Sequence, residues 1–216
     1  MRLAVLASGR GSNFQALFDA RDRLGVGFAG VFSDRPGAAV LDRARAAGVP
    51  CRAIAPRDFP DRGAHDESLF SAIADVQPDL IVCAGYMRLI GAAQVRRFAG
   101  RMINIHPSLL PAFPGLDTHA RALAAGVREH GTSVHYVIPA LDAGPVIAQA
   151  TVPVRPGDDA GSLAARVLER EHPLLVASVG LIAAGRVRQL DDRVAFDGLP
   201  LDAPLQLGPD EELHLP

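Results

Sequence analysis

The stretch RMINIHPSLLPAFPGLDTH (101–119) sets two polar side chains, Asn104 and His106, into an otherwise apolar run that breaks into a loop with three prolines. Read as a strand, the spacing sends Asn104 and His106 to one face and Ile103 and Ile105 to the other. Pro107 stops the strand and keeps His106 extended. A carboxamide can donate to an oxyanion and an imidazole can act as general acid near neutral pH, so the pair suits chemistry at a carbonyl carbon. A lone histidine at a strand end is ordinarily a structural hydrogen-bonder. The Asn partner and the rigid proline loop shift that reading toward catalysis. Such a centre needs a charge that keeps the imidazole protonated, and ALDAGPVI (140–147) offers Asp142. Sequence alone does not bring Asp142 to His106, and by itself this Asp reads as a turn residue, with Gly144 allowing a tight path.

A second candidate is SGRGSN (8–13), between a first apolar run and a helical pattern. Gly9 and Gly11 free the backbone for positive φ, and Ser12 or Asn13 can cap the helix. The exposed amides and the helix dipole then suit a phosphate monoester. A plain tight turn before a capped helix fits the same residues. A dinucleotide fold is the rival, since Asp34 stands where a ribose-binding acid belongs. Phe14, in place of a third small residue, disfavours it.

These loops need elements to hold them. RLAVLA (2–7), FAGVFS (28–33), CRAIA (51–55), DLIVCAG (79–85) and MINIH (102–106) are short apolar runs, and helical periodicities separate them. Continuous apolar runs alternating with helices predict an α/β fold: a Rossmann-like, open, mostly parallel sheet with helices on both faces. GTSVHYVI (131–138) and PVIAQATVPV (145–154) predict strands, giving antiparallel additions toward the C-terminus. A long helix is expected from about Asp159 to Ala184, stopped by Gly185, then a short ribbon with its turn at Asp197-Gly198. The expected organisation is one domain over 1–201 and a loose, Pro-, Gly- and acid-rich tail over 202–216. Ligands of an open parallel sheet bind beyond the carboxyl ends of its strands, where these motifs fall.

Composition narrows the function classes. The 216 residues carry a formal charge of -2, which favours no broad nucleic-acid contact. No apolar run approaches the roughly 20 residues of a membrane span. The opening MRLAVLASG reads as a strand with no cleavage site, so the expected location is the cytoplasm. All 22 basic residues are Arg. The absence of Lys excludes a P-loop lysine and any Schiff-base lysine. Cys51 and Cys83 form no paired motif, and His65, His119, His130, His135, His172 and His214 lack metal-ligand spacing, so no metal site is expected. There is no G-x-S-x-G elbow.

Taken in order, SGRGSN (8–13), AGYMRLI (84–90), INIHPSLLPAFPG (103–115), HGTSVHYV (130–137) and LDAGPVIAQ (141–149) closely resemble the phosphoribosylglycinamide formyltransferases of the formyltransferase family, across about residues 1–200. The resemblance implies transfer of formyl from 10-formyltetrahydrofolate, as co-substrate, to the amine of glycinamide ribonucleotide in purine synthesis. It implies Asn104, His106 and Asp142 as the catalytic set, and Gly11, Ser12, Asn13 and Glu171 as ribonucleotide contacts. It also implies Arg62, Met87, Arg88, Leu89 and Ile90, with Asn104, as folate contacts. His119 and Ser133 match motif positions, although Ser133 equally suits a strand-end hydrogen-bonder. Asp117 and Ala112 depart from the family pattern and leave the substrate loop in question. The expected partners are small molecules, with no nucleic acid or membrane, and the protein is expected to act as a monomer or homodimer. A methionyl-tRNA formyltransferase or a formyltetrahydrofolate hydrolase is expected to carry a further domain. A non-catalytic nucleotide-binding module is the rival from another class.

Overall fold

Strand β1 (Arg2–Leu6) shows why its sequence reads as an unbroken apolar run, since Leu3, Ala4, Val5 and Leu6 are all fully buried. Only a strand covered on both faces buries every residue, as in a parallel sheet with helices on each side. The computed structural model describes all residues, Met1–Pro216, and they form two compact units, Met1–Asn104 and Ile105–Pro216.

In the first unit, β1 is followed by α1 (Ser12–Asp19), α2 (Arg21–Leu24), β2 (Gly27–Ser33), α3 (Ala39–Ala46) and β3 (Cys51–Ala53). A 3-10 turn at Pro56–Asp58 leads into α4 (Arg62–Asp75), β4 (Leu80–Cys83), α5 (Ala92–Arg97) and β5 (Met102–His106), whose last two residues cross the boundary. All pairings here are parallel: β1 with β2 and β4, β2 with β3, and β4 with β5 through Cys83 opposite Asn104. The order β5-β4-β1-β2-β3 makes β1 the point where the chain reverses its direction of travel across the sheet. The crevice at such a point is where open α/β sheets bind ligands. Phe14 of α1 is buried and meets the Phe28 ring edge-on at 5.3 Å, which accounts for a large residue at that helix position.

The second unit holds α6 (Thr118–Ala124), β6 (Glu129–Tyr136), β7 (Val146–Pro153), α7 (Ala160–Ala183), β8 (Val187–Leu190), β9 (Arg193–Phe196), β10 (Leu199–Pro200), β11 (Leu205–Leu207) and β12 (Leu213–His214). β6 and β7 pair antiparallel, with an irregularity at Val134/His135. Leu163 and Val167 of α7 pack on Val152 of β7. Helix α7 starts at a capping box, in which Asp159 accepts from Ser162 N–H and the Ser162 hydroxyl meets the Asp159 amide. Gly185, at φ 70°, follows its end. The fold is thus the mostly parallel α/β arrangement with antiparallel strands toward the C-terminus that the sequence predicts.

Two expectations need correction. The ribbon has three strands, because Asp191 (φ 52°) turns β8 into β9 before Asp197-Gly198 turns β9 into β10. The segment 202–216 is not structureless: β11 pairs parallel with β7 and antiparallel with β12, and Leu205 is fully buried. Two alternate leucines, Leu205 and Leu207, supply a buried strand face inside an otherwise polar composition. Arg170 of α7 donates to the carbonyls of Leu207 and Gly208 and ties the segment down.

Candidate active site

At the end of β1, Gly11 sits at φ 76°, and a Cβ there would come within 2.7 Å of Val40, so only glycine fits. The sequence suggests Ser12 or Asn13 as the cap of α1. Instead Gly11 caps it without a side-chain bond, and Ser12 and Asn13 are its first helical residues. The first helical bond runs from Gln15 N–H to Gly11 O at 3.0 Å, so the amides of the first turn point out of the positive end of the helix. Helix α3 fixes the loop from the side, with Val40 N–H donating to Gly9 O at 3.1 Å and Arg43 Nε to Arg10 O at 2.9 Å. Asp34 is buried and accepts the Ser8 hydroxyl at 2.6 Å. That bond engages one carboxylate oxygen a dinucleotide ribose would need, which further weakens the rival reading.

Between β4 and α5 the backbone is irregular, and Met87 and Leu89 stand exposed while Arg88 and Ile90 are partly buried. Two exposed apolar side chains on one short loop are an apolar surface available to a planar ligand. Arg62 is the exposed first residue of α4, where Asp61 caps the helix by accepting Ala64 N–H at 2.8 Å.

The second unit shows that His106 and Asp142 meet. His106 Nδ1 lies 3.5 Å from Asp142 Oδ2, an ion-pair distance, and both side chains are about nine-tenths buried. His106 Nε2 lies 3.1 Å from the Phe113 carbonyl. Both ring nitrogens face acceptors, and only a doubly protonated ring donates to both. Asp142 occupies the left-handed region at φ 46°, which a short polar residue tolerates. Gly144 is required nearby, since a Cβ there would fall 1.8 Å from Tyr136 O. Asp142 Oδ2 also accepts Gly115 N–H at 2.8 Å, anchoring the loop that carries Phe113. Asn104 shares its strand face with His106 by the alternation of β5 and is partly buried.

His135, which the sequence presents only as a histidine without metal-ligand spacing, approaches Asp142 Oδ1 at 3.8 Å. Burial pushes its pKa down, while the Tyr136 carbonyl and Asp142 pull the other way. The available signal was the alternation in TSVHYV, which puts Ser133 and His135 on one face of β6. The Ser133 hydroxyl donates to Ser108 O and accepts from Leu110 N–H and Gln149 Nε2, bonds that suit a strand-end hydrogen-bonder. Thr132 Oγ1 donates to His106 O, and Thr118 Oγ1 to Pro107 O. The proline loop is thus held by the hydroxyls of Thr118, Thr132 and Ser133.

His119 Nδ1 and His130 Nε2 lie 3.2 Å apart, an arrangement satisfied when one donates and the other accepts. Burial and the neighbouring His119 bring His130 down to about 4, and burial with the His106 charge lowers His119. The Phe113 ring packs edge-on against His130 at 6.0 Å, beneath the Arg121 guanidinium. Asp117, at φ 56°, precedes α6 as its cap residue without a side-chain cap bond. Ala112 N–H donates to Leu109 O, and its carbonyl accepts the Ser108 hydroxyl, so this position serves the loop through its backbone. Glu171 is partly buried on α7.

The chain matches the formyl transferase family model over residues 1–179. It is 44% identical over 200 residues to the phosphoribosylglycinamide formyltransferase of Escherichia coli strain K12, covering 92% of this chain and 94% of that one. A solved structure of the phosphoribosylglycinamide formyltransferase from Coxiella burnetii superposes with a TM-score of 0.89 at 44% identity, over 93% of this chain and 95% of that one. A formyltetrahydrofolate deformylase from Pseudomonas syringae is more distant, at 26% identity and a TM-score of 0.84, over 90% of this chain but 65% of that one. With a family match over most of its length and full-length relatives at this identity, the chain belongs to the formyl transferase family.

Proposed function

We propose that the protein transfers the formyl group of 10-formyltetrahydrofolate to the amine of 5-phosphoribosylglycinamide, giving formylglycinamide ribonucleotide and tetrahydrofolate in purine (IMP) biosynthesis. The carrying observation is His106 held between the Asp142 carboxylate and a backbone carbonyl, on the strand face it shares with Asn104. The likeness of the whole chain to phosphoribosylglycinamide formyltransferases supports it.

The neutral amine attacks the formyl carbon, a C–N bond forms, and the carbonyl π pair moves to oxygen. Asn104 and protonated His106 donate to that oxyanion, and the reacting oxygen competes with the Phe113 carbonyl for the Nε2 proton. Collapse restores C=O and breaks the bond to the folate nitrogen, which takes a proton as the new amide nitrogen loses one. Asp142 holds the imidazole in its orientation throughout. No covalent enzyme intermediate forms. Gly11, Ser12 and Asn13 receive the ribonucleotide phosphate on backbone amides, and Glu171 contacts the ribonucleotide. Arg62 and the Met87–Ile90 loop receive the folate. Alignment of amine and formyl donor supplies much of the acceleration.

The test is to incubate purified protein with 10-formyltetrahydrofolate, with and without glycinamide ribonucleotide, and to follow tetrahydrofolate release. Release that requires the nucleotide supports the transferase. Release at the same rate without it favours a hydrolase, as the deformylase likeness would suggest, and no release in either arm rejects both.

A further inference from the structure

Two buried polar groups that the mechanism does not use both end on the loop between β4 and α5. At its near end, the Ser8 hydroxyl accepts Met87 N–H at 3.0 Å while donating to buried Asp34 at 2.6 Å, and Ser8 N–H donates to Gly85 O at 3.0 Å. At its far end, buried Asp66 accepts Gly91 N–H on Oδ2 at 2.8 Å. The other oxygen of Asp66 faces His65 Nδ1 at 3.3 Å, and His65 Nε2 faces the Ile54 carbonyl at 3.0 Å. His65 and Asp66 lie on the covered side of α4, so neither has solvent as an alternative partner. Both amides so held flank the four residues Met87, Arg88, Leu89 and Ile90, which have no helix or strand to shape them.

A loop without secondary structure can present backbone groups to a flat ligand reproducibly only if its ends are fixed. A hydrogen bond to a carboxylate is stronger than one between neutral groups. Burial, with Asp34 and Asp66 close by, pushes the Tyr86 phenol up, as expected where two carboxylates flank the loop. Asp34 acts on Met87 through Ser8, and Asp66 acts on Gly91 directly.

We propose that Ser8 and Asp66 are positioning residues that clamp the two ends of the Met87–Ile90 loop and thereby set affinity for the pterin-bearing substrate. The proposal rests on the folate reading of that loop given above. Each clamp is predicted to act on folate binding without acting on the chemical step.

The test compares wild type, Asp66→Ala, Asp66→Asn and Ser8→Ala, each checked for folding by its melting transition. The measurements are the Michaelis constants for both substrates, kcat, and hydrogen exchange at the Met87 and Gly91 amides. Asp66→Ala should raise the Michaelis constant for 10-formyltetrahydrofolate about tenfold, leave that for glycinamide ribonucleotide within about twofold, and speed exchange at Gly91. Asp66→Asn should restore most of the affinity, because an amide oxygen still accepts Gly91 N–H. Ser8→Ala should speed exchange at Met87 and weaken folate binding likewise. Unchanged folate constants in folded Asp66→Ala and Ser8→Ala, or equal losses for both substrates, overturn the clamp while leaving the transferase reading intact. A wild-type protein that neither binds nor consumes 10-formyltetrahydrofolate overturns the functional reading and the clamp's role with it.

Discussion

The two units hold their candidate groups by opposite means. In the first, apart from the side chains of Arg62, Arg88 and Asn104, the groups are backbone amides: a glycine that no other residue can replace, the first turn of α1, and a loop pinned at both ends. In the second, the groups are ionisable side chains, and the backbone is contorted to bring them together, with φ of 53° at Phe113, 56° at Asp117 and 46° at Asp142. A backbone site needs only the right chain path, so it tolerates many side chains but almost no change at its glycine. An ionisable site needs particular side chains, and it accepts backbone strain of order 1–3 kcal/mol per residue that surrounding bonds must offset. Here the offsetting bonds include Asp142 to Gly115 N–H and the hydroxyls of Thr118, Thr132 and Ser133.

The sharpest way to break that contrast is to delete one group from each side. His106→Ala should cut kcat about a hundredfold to a thousandfold, the range for a lost oxyanion donor, while the dissociation constant for glycinamide ribonucleotide stays within about twofold. Gly11→Ala should do the reverse. A Cβ at φ 76° and 2.7 Å from Val40 displaces the loop, so ribonucleotide binding weakens and the melting temperature falls, while turnover at saturation is far less affected. Steady-state kinetics with titration of the nucleotide separates the two. Unchanged turnover in His106→Ala would remove His106 from the mechanism, and a pure kcat loss in Gly11→Ala would remove the backbone site.

The contrast also explains what could be read from the sequence. The parallel strands were legible because burial on both faces writes itself as unbroken apolar runs, as in Leu3–Leu6. The glycine loop and the Asn104/His106 alternation were legible because both are local. The 3.5 Å approach of Asp142 to His106 was not, since 35 residues and two further elements intervene and nothing local encodes the meeting. His135 was missed for the same reason, since the sequence presents it only as a histidine without metal-ligand spacing. The hydroxyl clamps of Thr118, Thr132 and Ser133 use common residue types whose partners across the fold no local pattern names. Residues 202–216 misled because the composition is polar and proline-rich, while two leucines at strand spacing suffice to dock β11.

Acid should act on the second unit more than on the first. His130 titrates near 4 in the folded protein against an ordinary value of 6.5, so the unfolded chain takes up that proton first. The stability contributed by neutral His130 is therefore complete above about pH 6.5 and is lost as pH falls toward 4. Protonating both rings also sets two positive charges against each other across the 3.2 Å contact with His119, beneath Phe113. Melting temperature measured from pH 7 to 4 should fall more steeply in wild type than in His130→Gln, which lacks the titrating ring. Parallel curves would show that the histidine pair does not govern acid sensitivity.

The smallest effect is expected where the second unit uses a side chain for structure alone. Asp159 caps α7 by accepting Ser162 N–H at 2.7 Å, and the neighbouring Asp158 makes a two-pronged ion pair with Arg166. Ser162 and Arg166 hold both carboxyls below the usual carboxylate range. Asp159→Ala removes one charged acceptor from the positive end of a 24-residue helix, but Asp158 remains to face the same dipole. A lost cap costs about 1 kcal/mol, which for a chain of this size lowers the melting temperature by about 2–4 °C. Neither Michaelis constant should move, because the cap lies about three helical turns before Glu171, the only α7 residue assigned to substrate. A change in ribonucleotide affinity without a change in melting temperature would mean that the start of α7 belongs to the binding machinery, and the division between ionisable groups for chemistry and ionisable groups for structure would fail at that helix.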